Sequence, residues 1–136
     1  DLINSKRCFL IEINQRNLTT KSIRQRRNKP VLKLFISQTM NGKTDKEILR
    51  EREQIISRIK AHYGSVEVID SFVKENVPKD VNVSLWYLSK SIEFLSMADI
   101  AYFTSGWQDA RGCKIEHECA EAYGIKIIEE EEQTNE

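Results

Sequence analysis

The residue types best suited to binding and catalysis are concentrated in residues 105–118, between an apolar run and an amphipathic stretch. A loop that leaves a strand and enters a helix presents backbone N–H groups, which can bind an anion or a sugar hydroxyl. Gly106 and Gly112 would let a ligand approach the chain closely. The same segment carries an aromatic ring, Trp107, and an acid, Asp109. It therefore predicts a ligand-binding loop.

Glu116 is the acid that helix geometry places on a covered surface. The helix predicted after residue 112 advances about 100° per residue. Its apolar arc consists of Ile115, Cys119, Ala122 and Tyr123. Glu116 falls within this arc, whereas His117 falls outside it and is expected in solvent. Because a buried carboxylate is costly unless it is paired or used, Glu116 is a candidate catalytic acid. The alternative is a structural bond to a backbone N–H or to Arg111.

Several other side chains have both a functional and a structural interpretation. Arg111 could hold a phosphate bidentately, or it could pair with Asp109 or Glu116. Trp107 could stack on a nucleobase or pack inside the protein. Asp70, at the end of a predicted strand, is either a functional acid or a turn residue.

The cysteines, the histidines and the charge balance disfavour several classes of protein. Cys8, Cys113 and Cys119 form no CxxC pair, and the two histidines belong to no HExxH pattern. Neither a disulfide scaffold nor a metal site is predicted, no cofactor is expected, and reduced thiols favour a cytoplasmic location. Lys+Arg and Asp+Glu both number 21, which provides no global field for nucleic acid or membrane. No apolar run approaches the roughly 20 residues of a membrane helix, and the first residues do not resemble a secretory signal.

Short apolar runs alternate with amphipathic stretches from Val31 onward. Strands are predicted near residues 31–37, 66–70, 100–103 and 125–128, and helices near residues 44–63, 85–97 and 113–123. Thr44 and Glu47 have the spacing of a reciprocal helix cap. This alternation predicts parallel crossovers in an open α/β sheet. Ligands bind beyond the carboxyl ends of such strands, here in the loops 37–43, 70–84 and 104–112.

Both ends of the chain depart from this pattern. Residues 1–29 are predicted to be a basic N-terminal arm or an added strand, residues 30–130 the main domain, and residues 131–136 an acidic tail. Residues 1–33 carry nine basic residues against two acidic ones. The arginine cluster within them lacks aromatic neighbours, so a solvated arm is favoured over a weak contact with nucleic acid or a partner protein.

Four short motifs carry a resemblance to a known family. They are LFISQTMNGK at 34–43, LWYL at 85–88 with SIE at 91–93, AD at 98–99, and GWQDARG at 106–112 leading to EHE at 116–118. Through them, residues 31–130 resemble the nucleoside 2-deoxyribosyltransferase-like superfamily. The likeness is greatest to its small phage and bacterial members, the DUF4406 group.

The resemblance implies a flavodoxin-like, Rossmann-like three-layer α/β fold with a mostly parallel sheet of four to five strands. Glu116, eight residues before Gly124, matches the family's glutamate nucleophile, and Asp109 matches the acid that contacts the sugar. The first loop, which lines the nucleoside or 5′-phosphate pocket, is matched by Ser37, Gln38, Met40, Asn41 and Gly42. The predicted substrate-binding set is completed by Asp70, Ser91, Gly106, Trp107, Arg111 and Gly112. Ser91 stands where characterised relatives carry an aspartate, which leaves the substrate open.

Together these features predict an N-glycosidic-bond hydrolase or (deoxy)ribosyltransferase that acts on a nucleoside or nucleotide. A homo-oligomer is expected from the resemblance. One alternative is a non-catalytic module that binds a nucleotide or an ADP-ribose-like ligand in the same pocket. Another is an oligomerising scaffold whose basic arm docks to a partner.

Overall fold

A computed structural model describes residues 31–131 of the chain. The predictions made for residues 1–29, including an added strand near residues 8–13, lie outside the described residues. The acidic tail after residue 131 lies outside them as well.

Four strands alternate with three helices in the described part of the chain. Their bounds are β1 Leu32–Ser37, α1 Asp45–Tyr63, β2 Val66–Val68, α2 Val83–Leu95, β3 Ile100–Phe103, α3 Arg111–Ala122 and β4 Lys126–Glu129. A short 3-10 turn, Trp107–Asp109, lies between β3 and α3. The predicted alternation is confirmed, although α3 begins two residues before the predicted start.

Local sequence explains where α1 and α2 begin. The Thr44 side chain accepts a hydrogen bond from the Glu47 N–H, and the Glu47 carboxylate accepts one from the Thr44 N–H, so the predicted reciprocal cap is confirmed. Asn82 caps α2 by accepting from the Leu85 N–H. At the far end of α1, the Gly64 N–H donates to the Lys60 carbonyl.

The strands form one parallel sheet in the order β2-β1-β3-β4. Ile55 and Ile59 of α1 pack on one face of this sheet. Leu95, at the end of α2, and Ala120 of α3 pack on the other face. The chain therefore forms the predicted three-layer α/β fold. Because the connections after β1 and β3 leave toward opposite faces, the switch point of the topology lies between these two strands.

The buried face of α3 differs from the predicted one. Its buried residues are Cys113, Glu116, His117 and Ala120, whereas Ile115 and Tyr123 are exposed. The predicted arc was wrong by a rotation of roughly 100°, about one residue's turn. It included Glu116 correctly but wrongly placed His117 in solvent, because two polar side chains of the inner face find partners inside the protein.

Little of α2 is fully buried. Leu95 is its buried residue, whereas Leu85 is exposed. Among residues 31–131, no helix is both long enough and apolar enough to cross a membrane.

Candidate functional site at the carboxyl ends of the strands

Glu116 lies beneath the surface at the carboxyl end of β1. Its side chain is 7% exposed, and Oε2 accepts a hydrogen bond of 2.6 Å from the Oγ of Ser37, the last residue of β1. No salt bridge within residues 31–131 involves Glu116, so the alternative pairing with Arg111 is absent. The carboxylate is therefore held by a hydroxyl and is not neutralised by a cation.

Burial and hydrogen bonding act on Glu116 in opposite directions. Burial raises the pKa of its carboxyl above the usual value, and the hydroxyls of Ser37 and Ser91 oppose that rise. Ser91 belongs to α2, so residues from β1, α2 and α3 meet at one carboxylate. Burial also raises the pKa of the Cys113 thiol, and the nearby Glu116 carboxylate adds to that rise. Both effects favour the neutral thiol form of Cys113.

The two loops that flank the switch point are bonded to each other. The Thr39 N–H donates to the Thr104 Oγ1 at 2.9 Å, and the Thr39 hydroxyl donates to the Ser105 carbonyl at 3.3 Å. Thr104 is completely buried directly after β3. These bonds fix the relative position of the loops 38–44 and 104–110 beside Ser37.

The first loop is tied to α1 by two of its residues. Gln38 donates to the Ile48 carbonyl at 2.8 Å, and Lys43 forms a salt bridge of 2.8 Å with Glu51. The side-chain amide of Gln38 is thus engaged by the protein itself. The three remaining predicted residues of this loop are exposed; they are Met40, Asn41 and Gly42.

The second loop carries the other predicted residues. Gly106 has φ 85°, a left-handed conformation that favours glycine. Asp109 and Arg111 are exposed, and within the described residues neither is bonded to Glu116. Gly112, in the first turn of α3, has open space where a Cβ would stand, so a ligand can approach the backbone there.

His117 and Trp107 form a stacked pair that the sequence did not predict. The ring centroids are 3.8 Å apart with an interplanar angle of 5°, and Phe103 contacts the His117 ring at 4.8 Å. His117 Nε2 lies 2.7 Å from Glu129 Oε1 at the end of β4. One face of the Trp107 ring is therefore covered by the protein, and only the other face could stack on a base.

Asp70 serves a local turn. Its Oδ1 accepts from the Phe72 N–H at 3.1 Å, and its Oδ2 lies 4.0 Å from Lys74. This geometry is that of the turn interpretation. No contact joins Asp70 to Glu116 in the described part of the chain.

One open depression lies away from Glu116. It has a volume of about 930 Å³, and its lining includes Arg58, Tyr102, Ile128 and Glu130. Tyr102 and Ile128 face the α1 side of the sheet, whereas Glu116 contacts the other side. Among residues 31–131, no group of acidic, histidine and cysteine side chains is arranged to hold a metal ion.

The structure thus brings together Ser37, Ser91 and Glu116 from the predicted set. Sequence reasoning missed the Thr39–Thr104 bridge and the His117–Glu129 bond. Thr104 follows a fully buried strand at the ligand edge of the sheet, which is a usable signal for a buried polar contact. No local pattern connects His117 to Glu129, because the contact depends on how α3 packs on β4.

Comparisons with known proteins agree with this architecture. Residues 32–129 match the family described as a domain of unknown function (DUF4406). No curated protein matches the chain. A solved structure described as a conserved protein from Enterococcus faecalis V583 is similar, with a TM-score of 0.53 and 14% sequence identity. The match covers 74% of this chain but only 63% of that one, so the chain spans less than two thirds of the solved structure. At that identity the similarity shows the fold alone.

Proposed function

The chain belongs to the DUF4406 family, and from the Glu116 site we propose that it cleaves the N-glycosidic bond of a nucleoside or nucleotide, as a hydrolase or a (deoxy)ribosyltransferase. The observation that carries this proposal is a buried carboxylate bonded to the Ser37 hydroxyl at the carboxyl end of β1. Ligands bind at this edge of open α/β sheets, beside the switch point. A carboxylate with a perturbed pKa in such a place is a candidate for chemistry.

The proposed reaction uses Glu116 as a nucleophile. A carboxylate oxygen attacks the anomeric carbon, a C–O ester bond forms as the C–N bond breaks, and the base leaves with a proton from solvent. Water or a second base then attacks the same carbon and restores the free carboxylate. The transition state resembles an oxocarbenium ion, which a nearby negative charge stabilises.

The surroundings of Glu116 suit this role. A salt bridge to a cation would reduce the negative charge available to the transition state, and the carboxylate is held by the Ser37 hydroxyl instead. The Ser37 hydroxyl orients the carboxylate, and the hydroxyls of Ser37 and Ser91 favour its ionised, reactive form. Gly112 and the first turn of α3 leave room for a phosphate or sugar hydroxyl close to the backbone. Asp109 on the adjoining loop and Arg111 at the start of α3 are the proposed sugar and phosphate contacts.

The test is to incubate the protein with a panel of nucleosides, deoxynucleosides and their 5′-monophosphates and to measure the free base that is released by chromatography. Glu116→Gln is expected to abolish release, because the amide is not a nucleophile. Glu118→Gln, on the same helix but exposed, is the matched control and should retain activity. A 2′-fluoro substrate analogue, which slows breakdown of the ester, should add the mass of the sugar to the wild type and to Glu118→Gln but not to Glu116→Gln. Base release that survives Glu116→Gln unchanged would overturn the assignment.

A binding function without turnover is the second candidate. It is favoured by Ser91, whose hydroxyl acts on Glu116 at the position where the resemblance places an aspartate. A hydroxyl cannot replace that aspartate as a proton acceptor or charge partner. The ligand would be a nucleotide or an ADP-ribose-like molecule. Calorimetry that shows tight binding by the wild type, with no product formed, would support this candidate over the enzyme.

The proposal also includes a cytoplasmic location and assembly into a homo-oligomer. Cys113 and Cys119 are free thiols, which supports a reducing, cytoplasmic location. A homo-oligomer is proposed because α2 exposes Val83, Leu85 and Tyr87.

A further inference from the structure

We propose that His117, held by Glu129, is a positioning residue that fixes the loop 105–110 over the Glu116 site through its stack on Trp107. The inference rests on the proposed function of Glu116, because it assigns the loop to the same reaction. His117 does not touch the substrate in this proposal. Its effect passes through the indole ring of Trp107.

The imidazole is held on two sides by groups that fix its orientation. An ionised carboxylate can only accept a hydrogen bond, so His117 Nε2 donates to Glu129 Oε1 at 2.7 Å. The ring then lies parallel to Trp107, 3.8 Å between centroids, with Phe103 at its edge. A buried ring with these contacts has little freedom to rotate, and it offers the indole a fixed surface.

The second loop is attached to the rest of the protein at its beginning, through Ser105, and in its middle through Trp107. Ser105 is bonded at the loop's beginning, where its N–H donates to Glu130 Oε2 at 3.0 Å. The hydrogen bonds of the 3-10 turn stay within the loop, such as Ala110 N–H to the Trp107 carbonyl. The Trp107 ring therefore holds the middle of the loop, immediately before Asp109. It contacts Phe103 at 5.9 Å between centroids, and its closer, parallel contact is the stack on His117.

The contacts form a closed ring around the site. Glu116 is bonded to Ser37, and two residues later Thr39 is bonded to Thr104. Three residues after Thr104, Trp107 stacks on His117, the neighbour of Glu116 in α3. A change in the His117 contact therefore moves the loop relative to the reactive carboxylate, without touching the carboxylate itself.

Trp107 provides a direct readout of the loop. In a Trp86→Phe background, Trp107 is the remaining tryptophan of the chain. His117→Ala and Glu129→Ala should each raise acrylamide quenching of its fluorescence at least about twofold, as the half-buried indole gains solvent contact. Glu129→Gln keeps an acceptor for His117 Nε2 and should restore quenching close to the wild-type value. Glu121→Ala, exposed on α3, is the control and should leave quenching unchanged.

Kinetics separate positioning from folding. With a substrate found in the base-release panel, Glu129→Ala should lower kcat/KM by about 10- to 100-fold, and mainly through KM, because the loop and not the nucleophile is displaced. Glu129→Gln should recover most of this loss.

Unchanged quenching in both His117→Ala and Glu129→Ala would overturn the inference, because the loop would then be held by other contacts. If His117→Ala fails to fold, the Glu129→Ala and Glu129→Gln pair decides the matter. If no substrate is found, the proposed reaction is wrong, but acrylamide quenching of Trp107 still tests whether His117 positions the loop. Increased quenching with unchanged kcat/KM would also overturn the positioning role, since the loop would then move without consequence.

Discussion

At the scale of single residues, the hydroxyl of Ser37 favours the ionised form of Glu116 against the effect of burial. Ser37→Ala removes the 2.6 Å bond and leaves a buried carboxylate with one donor fewer. We expect this to cost about 1–3 kcal/mol of unfolding free energy and to raise the pKa of Glu116 further. The acidic limb of the activity profile should therefore shift to higher pH. Ser89→Ala, exposed on α2, is the control for loss of a serine hydroxyl. A pH profile that is identical to that of the wild type would show that Ser37 does not tune the nucleophile.

The buried carboxylate also makes stability depend on pH in a definite direction. The pKa of Glu116 is raised in the folded protein, mainly by burial, so folding favours its protonated form. The resulting penalty is absent below the unfolded pKa of about 4.5 and develops as pH rises through the higher folded pKa. Glu116→Gln carries no such charge. The unfolding free energy of Glu116→Gln should therefore increase relative to that of the wild type as pH rises from about 4.5 through the higher folded pKa, and the difference should then stay constant.

Urea unfolding of wild type, Glu116→Gln and Glu118→Gln between about pH 4 and pH 8 measures this difference. Glu118 is exposed on the same helix and controls for the loss of one carboxylate from the chain. If the two variants show the same dependence on pH, burial of Glu116 does not cause the effect.

At the scale of elements, the first turn of α3 joins stability to ligand access. Gly112 does not have a positive φ, and nothing lies within 4 Å of a Cβ added there. Gly112→Ala should therefore stabilise the protein by about 0.4–1 kcal/mol, because it restricts the unfolded chain. It should also weaken binding of any ligand that approaches this turn. Thermal unfolding and calorimetry with the nucleotide that binds best measure the two effects. If Gly112→Ala is more stable but binds the nucleotide as tightly as the wild type, the ligand does not approach the first turn of α3.

The elements themselves were largely predictable, but the partners of polar residues were not. The capping pair Thr44–Glu47 and the apolar run of β1 are local signals, and both appear in the structure as predicted. The prediction of the inner face of α3 was wrong because it assumed that the apolar residues of the helix face the core. The structure buries Glu116 and His117 instead, since Ser37 and Glu129 satisfy them. These partners lie 79 and 12 residues away in the sequence, and no local pattern pairs them.

At the scale of the whole molecule, the most apolar helix is the least covered. The first two turns of α2 carry no charged residue, yet Val83, Leu85 and Tyr87 are exposed. By contrast, the exposed Leu49 of α1 stands among charged residues. At about 100° per residue, Leu85 lies on the side of α2 opposite to Val83 and Tyr87, so apolar side chains are exposed around the whole start of the helix. Apolar exposure of this extent marks an interface. The chain has a formal net charge of zero, so two copies approach without net repulsion.

We therefore expect the protein to associate through α2, with the same face of both copies in contact. Leu85 is 62% exposed and Leu49 is 61% exposed, which makes them a matched pair for the same substitution. Leu85→Glu should shift the mass in solution to that of a monomer, because it buries a charge in the interface. Leu49→Glu should keep the assembly of the wild type. Analytical ultracentrifugation of the three proteins distinguishes the cases. A wild-type monomer, or an assembly that both variants retain, would show that α2 is not the contact between copies.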